Sequence, residues 1–345
     1  MKAAYYERSG TVLLAEVDEP VILRPTDAVV RVTTSAICGS DLTIVGGHMT
    51  PATGFTLGHE YVGVVTAVGE GVTKIKVGDR VAGSPASYCG ACENCRRGLV
   101  ALCSRGGIHG SGPSFGALDG GQAEAIRVPW AEQVLAVIPD SVPDETAVLL
   151  ADVMMTGLTS VRATRLQPTD TLVVFGCGPI GLSAVHAARR LTAVDRIIAV
   201  DPVEHRLDVA RSLGADEAVA SVEEAEALVR PSRHDGADGV IDAAGAQASL
   251  DAAVRVAGQG ARIAVPAIGH GPMTIDFRTL LFRSIDVWTG LGDVLLIDDL
   301  MEAAALGRID PRPMISHHIG LDEVPSYYER MAARDPDIVK IVVSL

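Results

Sequence analysis

Aromatic side chains are scarce in this sequence, where 2 Trp, 6 Tyr and 5 Phe make up only 4% of the 345 residues. Positive charge is also in short supply, because 29 lysines and arginines face 43 aspartates and glutamates, for a net charge of −14. An acidic chain repels phosphate backbones and anionic lipid headgroups. We therefore expect neither nucleic acid nor a membrane as a partner.

Long apolar runs are missing as well. No uncharged run reaches the ~18 residues that a membrane-spanning helix needs, and the first residues, MKAAYYERSG, lack the apolar core of a signal peptide. These absences lead us to expect a cytoplasmic location. Thiols stay reduced in the cytoplasm, so clustered cysteines indicate metal ligands rather than disulfides.

The apolar material that is present suffices for buried cores, since 48% of the residues are hydrophobic. The length predicts about two domains. The first part reads as strands and turns, and then TLVVFG, GPIGLSAVHAARRLTA and RIIAVD begin an alternation of strands and helices, which predicts a doubly wound parallel sheet. We expect a β-rich domain from 1–153 and 292–345, with an inserted α/β domain at 154–291.

The turn VVFGCGPIG has the G-x-G-x-x-G spacing of a dinucleotide loop between a predicted strand and a predicted helix. Asp201 ends the next predicted strand, where a carboxylate accepts hydrogen bonds from the adenosine ribose and repels a 2′-phosphate. The sequence thus favours NAD over NADP, with a glycine turn that binds no nucleotide as the alternative. The expected cofactor contacts in the turn are Gly176, Gly178, Pro179, Ile180 and Gly181.

Four of the six cysteines lie close together in CGACENCRRGLVALC, which we call the four-cysteine lobe. They are Cys89, Cys92, Cys95 and Cys103. Four thiolates complete a closed tetrahedral zinc site that leaves no position for a substrate, so we expect a structural zinc. An iron–sulfur cluster and a zinc ribbon that grips nucleic acid are the alternatives.

A second metal site is indicated by Cys38, His59 and Asp152, which are far apart in the sequence. Three protein ligands with an open fourth position are typical of a catalytic zinc. Asp152 is a charge inside the apolar run LLADVMMTG, which is costly unless the charge is paired or bound to metal. Glu60 follows His59 and is an alternate ligand or a tuning charge. Separately, each residue also has an ordinary structural explanation, and for Asp152 this is a helix N-cap.

Taken together, these motifs resemble the zinc-dependent medium-chain alcohol dehydrogenases over essentially the full length. The matching stretches are CGSD, GHEYVGVV, VGDRV, the four-cysteine lobe, ADVMMTG, VVFGCGPIGL and AVDPVEHRLDVARSLGAD. The resemblance implies a GroES-like catalytic domain and an inserted Rossmann domain. It implies catalytic zinc on Cys38, His59 and Asp152, with Glu60 adjacent, and structural zinc on the lobe. It further implies cofactor contacts from Arg206 and Lys340, the latter near the cofactor phosphates.

The expected activity is reversible hydride transfer between an alcohol, preferably a secondary one, and NAD, with Ser40 taking the hydroxyl proton. Aspartate as third ligand resembles the bacterial secondary-alcohol and formaldehyde-dismutating branches. Many members carry a histidine where this chain has Thr43, which leaves His48 as the candidate for the outer proton relay. A polyol or sugar dehydrogenase, a formaldehyde-dehydrogenase-like enzyme and a catalytically silent nucleotide-binding relative are the alternatives. Related enzymes suggest a homodimer or homotetramer.

Overall fold

The computed structural model describes residues 1–49, 52–230, 234–267, 269 and 271–345. The chain forms two compact units. Unit 1 comprises Met1–Asp152, Asp293–Leu306 and Ile315–Leu345, and unit 2 comprises Val153–Gly292 and Gly307–Met314. Residues 307–314, which the sequence had placed with the β-rich domain, group with unit 2.

Unit 1 is rich in short strands. Numbered along the chain, its strands are β1 Lys2–Arg8, β2 Thr11–Glu16, β3 Ala28–Ile37, β4 Phe55–Thr56, β5 Tyr61–Val68, β6 Arg80–Gly83, β7 Ala86–Ser87, β8 Gly107–Ile108, β9 Ala125–Val128, β10 Leu135–Val137, β17 Ile315–Gly320 and β18 Lys340–Ser344. Its helices are α1 Gly39–Val45, α2 Glu93–Arg96, α3 Ala131–Val134, α4 Asp144–Leu149, α11 Ile297–Ala305 and α12 Val324–Ala332.

Strand β3 is the centre of the largest sheet of unit 1. Its β-branched run AVVRVTTSAI is almost entirely buried, as expected for a strand covered on both faces. The strand order is β10-β6-β5-β3-β18-β17, and β9 also pairs with β3. Strand β5 runs antiparallel to β3 on one side, and β18 runs antiparallel to it on the other. This pairing brings together the end of β3, the start of β5 and the start of β18, which are distant in the sequence. The remaining strands form the sheets β2-β1-β4 and β7-β8.

A helical run from Asp144 to Thr164 contains a π-helical turn at Leu150–Met154. By length and composition alone this run could cross a membrane, but 72% of its most apolar window is buried inside the protein. Core helices of globular proteins pass the same test, so the run is weak evidence for a membrane span.

Unit 2 contains one six-stranded sheet whose neighbouring strands are all parallel. Its strands are β11 Thr171–Phe175, β12 Arg196–Val200, β13 Glu217–Val219, β14 Ala237–Asp242, β15 Ala257–Val265 and β16 Asp286–Thr289, and its helices are α5 Met155–Thr164, α6 Pro179–Leu191, α7 Glu204–Leu213, α8 Val222–Val229, α9 Gln247–Val256 and α10 Phe277–Arg283.

The strand order β13-β12-β11-β14-β15-β16 reverses direction between β11 and β14. In such sheets, ligands bind beyond the carboxyl ends of the strands at the point of reversal. The doubly wound sheet predicted from the sequence is confirmed, and its order is the one typical of dinucleotide-binding domains.

Candidate active site

Four side chains with metal-binding atoms meet inside unit 1. Cys38, His59, Glu60 and Asp152 each present one such atom, and all four atoms lie within 4.8 Å of one another. The first three residues are buried, and the side chain of Asp152 is only 15% exposed. The structure therefore brings together the residues that the sequence indicated as ligands of an open metal site.

The elements of unit 1 explain this convergence. Cys38 directly follows β3 and is the N-cap of α1. His59 lies just before β5, whose pairing with β3 places Tyr61 opposite Ser35. Asp152 belongs to the π-helical turn, a local widening of the helix that is frequent at functional sites. Because Asp152 lies inside a helical run, the alternative that it serves as a helix N-cap does not apply.

The distances fit a small ion with mixed ligands. Asp152 Oδ2 lies 3.8 Å from Cys38 Sγ and 3.8 Å from His59 Nε2. Tetrahedral ligands of zinc, bound at about 2.0–2.3 Å, are separated by about 3.3–3.8 Å. Burial and then the charge of Asp152 raise the pKa of the Cys38 thiol, and burial raises the pKa of the Glu60 carboxyl to about 7. A divalent cation would stabilise the ionised forms of these crowded acids.

Asp41 lies behind His59 and was not singled out from the sequence. It is completely buried, and its Oδ1 is 3.1 Å from His59 Nδ1. Burial alone would lower the pKa of His59, but the Asp41 carboxylate raises it well above its usual value. With Nδ1 facing Asp41, the other ring nitrogen faces Cys38 and Asp152, as metal-bound histidines held by a carboxylate do.

Ser40 lies beside the ligand group. Its hydroxyl donates to Cys38 Sγ at 3.3 Å and lies 3.5 Å from His59 Nε2. Ser40 is half-buried, so it lies next to the ligands and is still partly exposed to solvent. The proton transfer expected of Ser40 stays a prediction.

Glu60 is paired with Lys340, a contact that the sequence did not predict. The Lys340 ammonium group lies 2.6 Å from the Glu60 carboxylate and donates to the Ile37 carbonyl oxygen at 3.2 Å. Both side chains are completely buried. The ion pair sets the charge next to His59. The expected contact of Lys340 with the cofactor phosphates stays a prediction.

The four cysteines of the lobe also converge. Cys92 Sγ lies 3.4 Å from Cys95 Sγ and 3.9 Å from Cys103 Sγ, and Cys89 and Cys103 are 3.6 Å apart. Ligands at the ~2.3 Å zinc–sulfur distance of a tetrahedral site are separated by about 3.8 Å. Sulfur atoms this close surround a single ion better than a multi-iron cluster. None of the six cysteines forms a disulfide.

Backbone N–H groups in the lobe favour a thiolate. The N–H of Cys95, followed by that of Ser104, lowers the pKa of Cys92 to about 5, whereas burial raises the pKa of Cys95 to about 12. A coordinating thiol is deprotonated, so a bound cation would reverse the shift at Cys95. The donor set and its spacing fit a closed site.

The glycine loop of unit 2 joins β11 to α6. Gly176 has φ +85°, and the first turn of α6 carries Pro179, Ile180 and Gly181. At Gly178, an added Cβ would meet nothing within 4 Å, which leaves open space beside the start of the helix. A helix N-terminus with free N–H groups attracts phosphate, so the open space fits a pyrophosphate.

Asp201 and Arg206 lie next to this loop. The Asp201 carboxylate accepts hydrogen bonds from the Cys177 and Val203 N–H groups, at 2.8 and 2.9 Å. Arg206 is half-buried and is close enough to Cys177 to partly offset the rise in its pKa, which burial takes to about 12. The structure therefore groups both residues with the loop, as expected of cofactor contacts.

Two family models match the chain. The alcohol dehydrogenase GroES-like domain matches residues 24–140, and the zinc-binding dehydrogenase domain matches residues 179–297. A zinc-type alcohol dehydrogenase-like protein of Bacillus subtilis (strain 168) is 32% identical, with 99% of this chain and 100% of that protein covered. The chain belongs to the zinc-dependent medium-chain alcohol dehydrogenase family. The predicted fold, a GroES-like domain with a Rossmann domain, is thereby confirmed.

Solved alcohol dehydrogenases agree with this family. The structure of alcohol dehydrogenase TADH from Thermus sp. ATN1 has a TM-score of 0.92 and 35% identity, covering 100% of this chain and 99% of that one. An alcohol dehydrogenase of E. coli CFT073 (27% identical, TM-score 0.89) is complexed with NADH, and a zinc-binding dehydrogenase of Sinorhizobium meliloti 1021 (28% identical, TM-score 0.88) is bound to NADP, each over 100% of this chain and 99% of the other. The present chain is accordingly an oxidoreductase of this family.

Thr43 and His48, the two positions discussed for the outer proton relay, are joined through the backbone, where the His48 N–H donates to the Thr43 carbonyl oxygen at 3.0 Å. Thr43 is buried in α1, whereas His48 is exposed beyond the end of that helix. Besides Asp41, sequence reasoning missed Gln122 and Tyr328, which are both buried behind the site. The quoted motif CGSD contains Asp41, and its position three residues after a ligand was the available signal. No sequence signal pointed to a role of Gln122 or Tyr328 at this site.

Proposed function

We propose that the protein is an NAD-dependent dehydrogenase that reversibly oxidises a secondary alcohol to a ketone and binds two zinc ions per chain. One observation carries the proposal. The sulfur of Cys38, the free ring nitrogen of His59 and a carboxylate oxygen of Asp152 meet within 4.8 Å, although 114 positions separate the first residue from the last. Such an arrangement is costly for buried acids unless a cation binds between them.

These residues divide the chemistry among them. A zinc ion held by Cys38, His59 and Asp152 would lower the pKa of an alcohol and polarise the carbonyl product. Asp41 fixes the ring of His59, and the pair formed by Glu60 and Lys340 keeps a balanced charge behind it. The protein thereby holds its ligands in place before the substrate arrives, which lowers the cost of reorganisation.

Ser40 takes the proton in this scheme. Bound NAD would accept a hydride from the carbon of the alcohol, and Ser40 would take the proton from its hydroxyl. The Ser40 hydroxyl passes its own proton onward, so the sum is alcohol plus NAD⁺ giving ketone, NADH and one proton. The distances of 3.3 and 3.5 Å from Ser40 Oγ to two ligand atoms support this role. In the reverse direction, Ser40 returns the proton.

The preference for NAD is assigned to Asp201. Relatives bind NADH in one case and NADP in another, so the family alone leaves this question open. Each carboxylate oxygen of Asp201 accepts one backbone N–H bond and has lone pairs left for ribose hydroxyls. The same negative charge would repel a 2′-phosphate. Arg206 would offset part of that repulsion.

The second zinc would occupy the four-cysteine lobe and act structurally. Four cysteine ligands leave no position for a substrate. The lobe has exposed leucines and little regular structure, so a bound ion would supply order that apolar packing does not.

The first test is NADH formation from a panel of secondary alcohols, primary alcohols and polyols, repeated with NADP and after removal of metal by a chelator. We expect turnover with NAD that chelation abolishes, fastest on a secondary alcohol. Best turnover of a polyol or of formaldehyde would replace the secondary-alcohol proposal by one of those alternatives. No turnover in protein that holds two zinc ions per chain would favour a silent nucleotide-binding relative.

The predicted domain bounds, 1–153 with 292–345 and 154–291, stay a prediction. The homodimer or homotetramer and the cytoplasmic location expected from the sequence stay predictions.

A further inference from the structure

A buried chain of polar side chains extends from the metal-ligand group into the core of unit 1. Its first member is Asp41, whose Oδ1 lies 3.1 Å from His59 Nδ1. Neither of these two atoms hydrogen-bonds to another group in the part of the chain that the structure describes. The orientation of the His59 ring therefore depends on where the Asp41 carboxylate is held.

Gln122 is the next member and holds the other oxygen of Asp41. Its Nε2 donates to Asp41 Oδ2 at 3.3 Å and to the Ala36 carbonyl oxygen at 3.2 Å. The backbone N–H of Cys38 also donates to Asp41 Oδ2, at 3.1 Å. Gln122 is completely buried, so no water competes for its amide.

The amide of Gln122 must face Asp41 with its nitrogen. If the amide turned over, its carbonyl oxygen would point at a carboxylate, and two acceptors would face each other without a proton between them. This orientation of the amide requires a hydrogen-bond donor to the Gln122 carbonyl oxygen.

Tyr328 supplies that donor. Its hydroxyl donates to Gln122 Oε1 at 2.9 Å, across 206 positions of sequence. Tyr328 lies on α12 in the core cluster of unit 1 and is only 3% exposed. Burial, and after it the charge of Asp41, raises the pKa of Tyr328 well above its usual value. The Tyr328 hydroxyl therefore remains protonated and keeps its hydrogen to donate to Gln122.

We propose that Gln122 and Tyr328 are positioning residues for the catalytic metal. Tyr328 orients the Gln122 amide, the amide holds Asp41, and Asp41 turns the free nitrogen of His59 toward Cys38 and Asp152. The inference rests on the proposed function, because it requires a metal at that group. Removing the outer hydrogen-bonding partners of metal ligands typically weakens metal binding by about 10–100-fold.

The test compares Tyr328→Phe and Gln122→Leu with Tyr6→Phe in the full-length protein. Tyr6 belongs to the same core cluster, and it is 1% exposed. It is thus a matched control for loss of a buried hydroxyl. Zinc affinity is measured by competition with a chromophoric chelator, in which the lobe gives a separate, internal reference. Cobalt(II) is then substituted, and its visible spectrum reports the ligand geometry.

We expect Tyr328→Phe to weaken zinc binding at the catalytic group by about 10-fold and Gln122→Leu by up to about 100-fold. The cobalt spectrum should shift in both variants, while the lobe keeps its affinity. Tyr6→Phe should match the wild type. Unchanged affinity and an unchanged spectrum in both test variants would overturn the proposal. An equal loss at both metal sites would also overturn it, since that result indicates general destabilisation.

The same experiment separates this inference from the proposed function. A wild-type chain that binds metal only at the lobe sinks the proposed function, and this inference with it. A wild type that binds two metals and oxidises alcohols, with both test variants unaffected, sinks only the positioning role of Gln122 and Tyr328.

Discussion

Two glycines in the same turn of unit 2 should separate nucleotide binding from folding when each is replaced by alanine. At Gly178 an added Cβ would enter open space, and the backbone angles there, φ −76° and ψ −178°, suit any residue. At Gly181 an added Cβ would lie 1.8 Å from the Gly176 carbonyl oxygen. The first change alters the space in front of the helix, and the second pushes the helix away from the strand.

The expected magnitudes follow from these contacts. In Gly178→Ala the methyl group occupies space that a pyrophosphate would approach, so one hydrogen bond to the phosphates is lost. Hydrogen bonds to a charged group contribute about 1.5–3 kcal/mol each, which corresponds to a rise of about 10–150-fold in the Kd for NADH. In Gly181→Ala the overlap exceeds ordinary overpacking, which costs about 1–3 kcal/mol. A loss of that size lowers the Tm by roughly 5 °C or more.

Fluorescence titration with NADH and a thermal melt measure the two properties separately. Gly178→Ala should lose affinity with a Tm within about 2 °C of the wild type, since alanine at an N-cap costs no more than about 1 kcal/mol. Gly181→Ala should lose stability. Wild-type NADH affinity in Gly178→Ala would refute the placement of the pyrophosphate, and a wild-type Tm in Gly181→Ala would refute the packing argument.

Three further changes probe other parts of the molecule. Asp152→Ala should lower the metal content from two ions per chain to one and abolish turnover while the protein stays folded, and wild-type turnover would contradict the ligand assignment. Asp201→Ala should reduce the NAD-over-NADP ratio of kcat/KM by about 10-fold, the effect of ~1.4 kcal/mol, and an unchanged ratio would count against the ribose contact. Burial lowers the pKa of His109 to about 4. The unfolded chain takes up a proton below about pH 6.5, so stability should fall by up to about 3 kcal/mol between about pH 6.5 and 4. His109→Asn can keep the bond to the Asp119 carbonyl. In urea titrations at pH 7 and 5, this variant should lose less folding stability at the lower pH than the wild type does. An equal loss would argue against His109 as the source of the pH dependence.

The sequence predicted the parts of the site whose residues lie close together along the chain. The glycine loop and the four-cysteine lobe each lie within one stretch of chain, so residue type and spacing were enough to find them. Cys38, His59 and Asp152 are distant from one another, but each is chemically conspicuous in its own surroundings. The doubly wound sheet followed from the alternation of apolar strands and amphipathic helices.

What the sequence could not supply depends on strand register and helix packing. Gln122 meets Asp41 across 81 positions and Tyr328 across 206, and no local pattern marks either pairing. The pairing of Lys340 was missed for the same reason, because its partner Glu60 lies 280 positions away. The π-helical turn that carries Asp152 was also missed, since one extra residue in a helical turn leaves the apolar pattern of an already hydrophobic run unchanged.

The position of β18 between β3 and β17 has a consequence for how the protein folds during its synthesis on the ribosome. The bond from Lys340 to the Ile37 carbonyl spans 303 positions, which at ~5–20 residues per second takes roughly 15–60 s to translate. All of unit 2 is synthesised before β18 and can fold during that interval, whereas unit 1 must wait for β18. Until then, Cys38 and Glu60 cannot be buried in a complete core of unit 1. Premature termination of synthesis before β18 would therefore leave unit 2 folded and unit 1 incomplete.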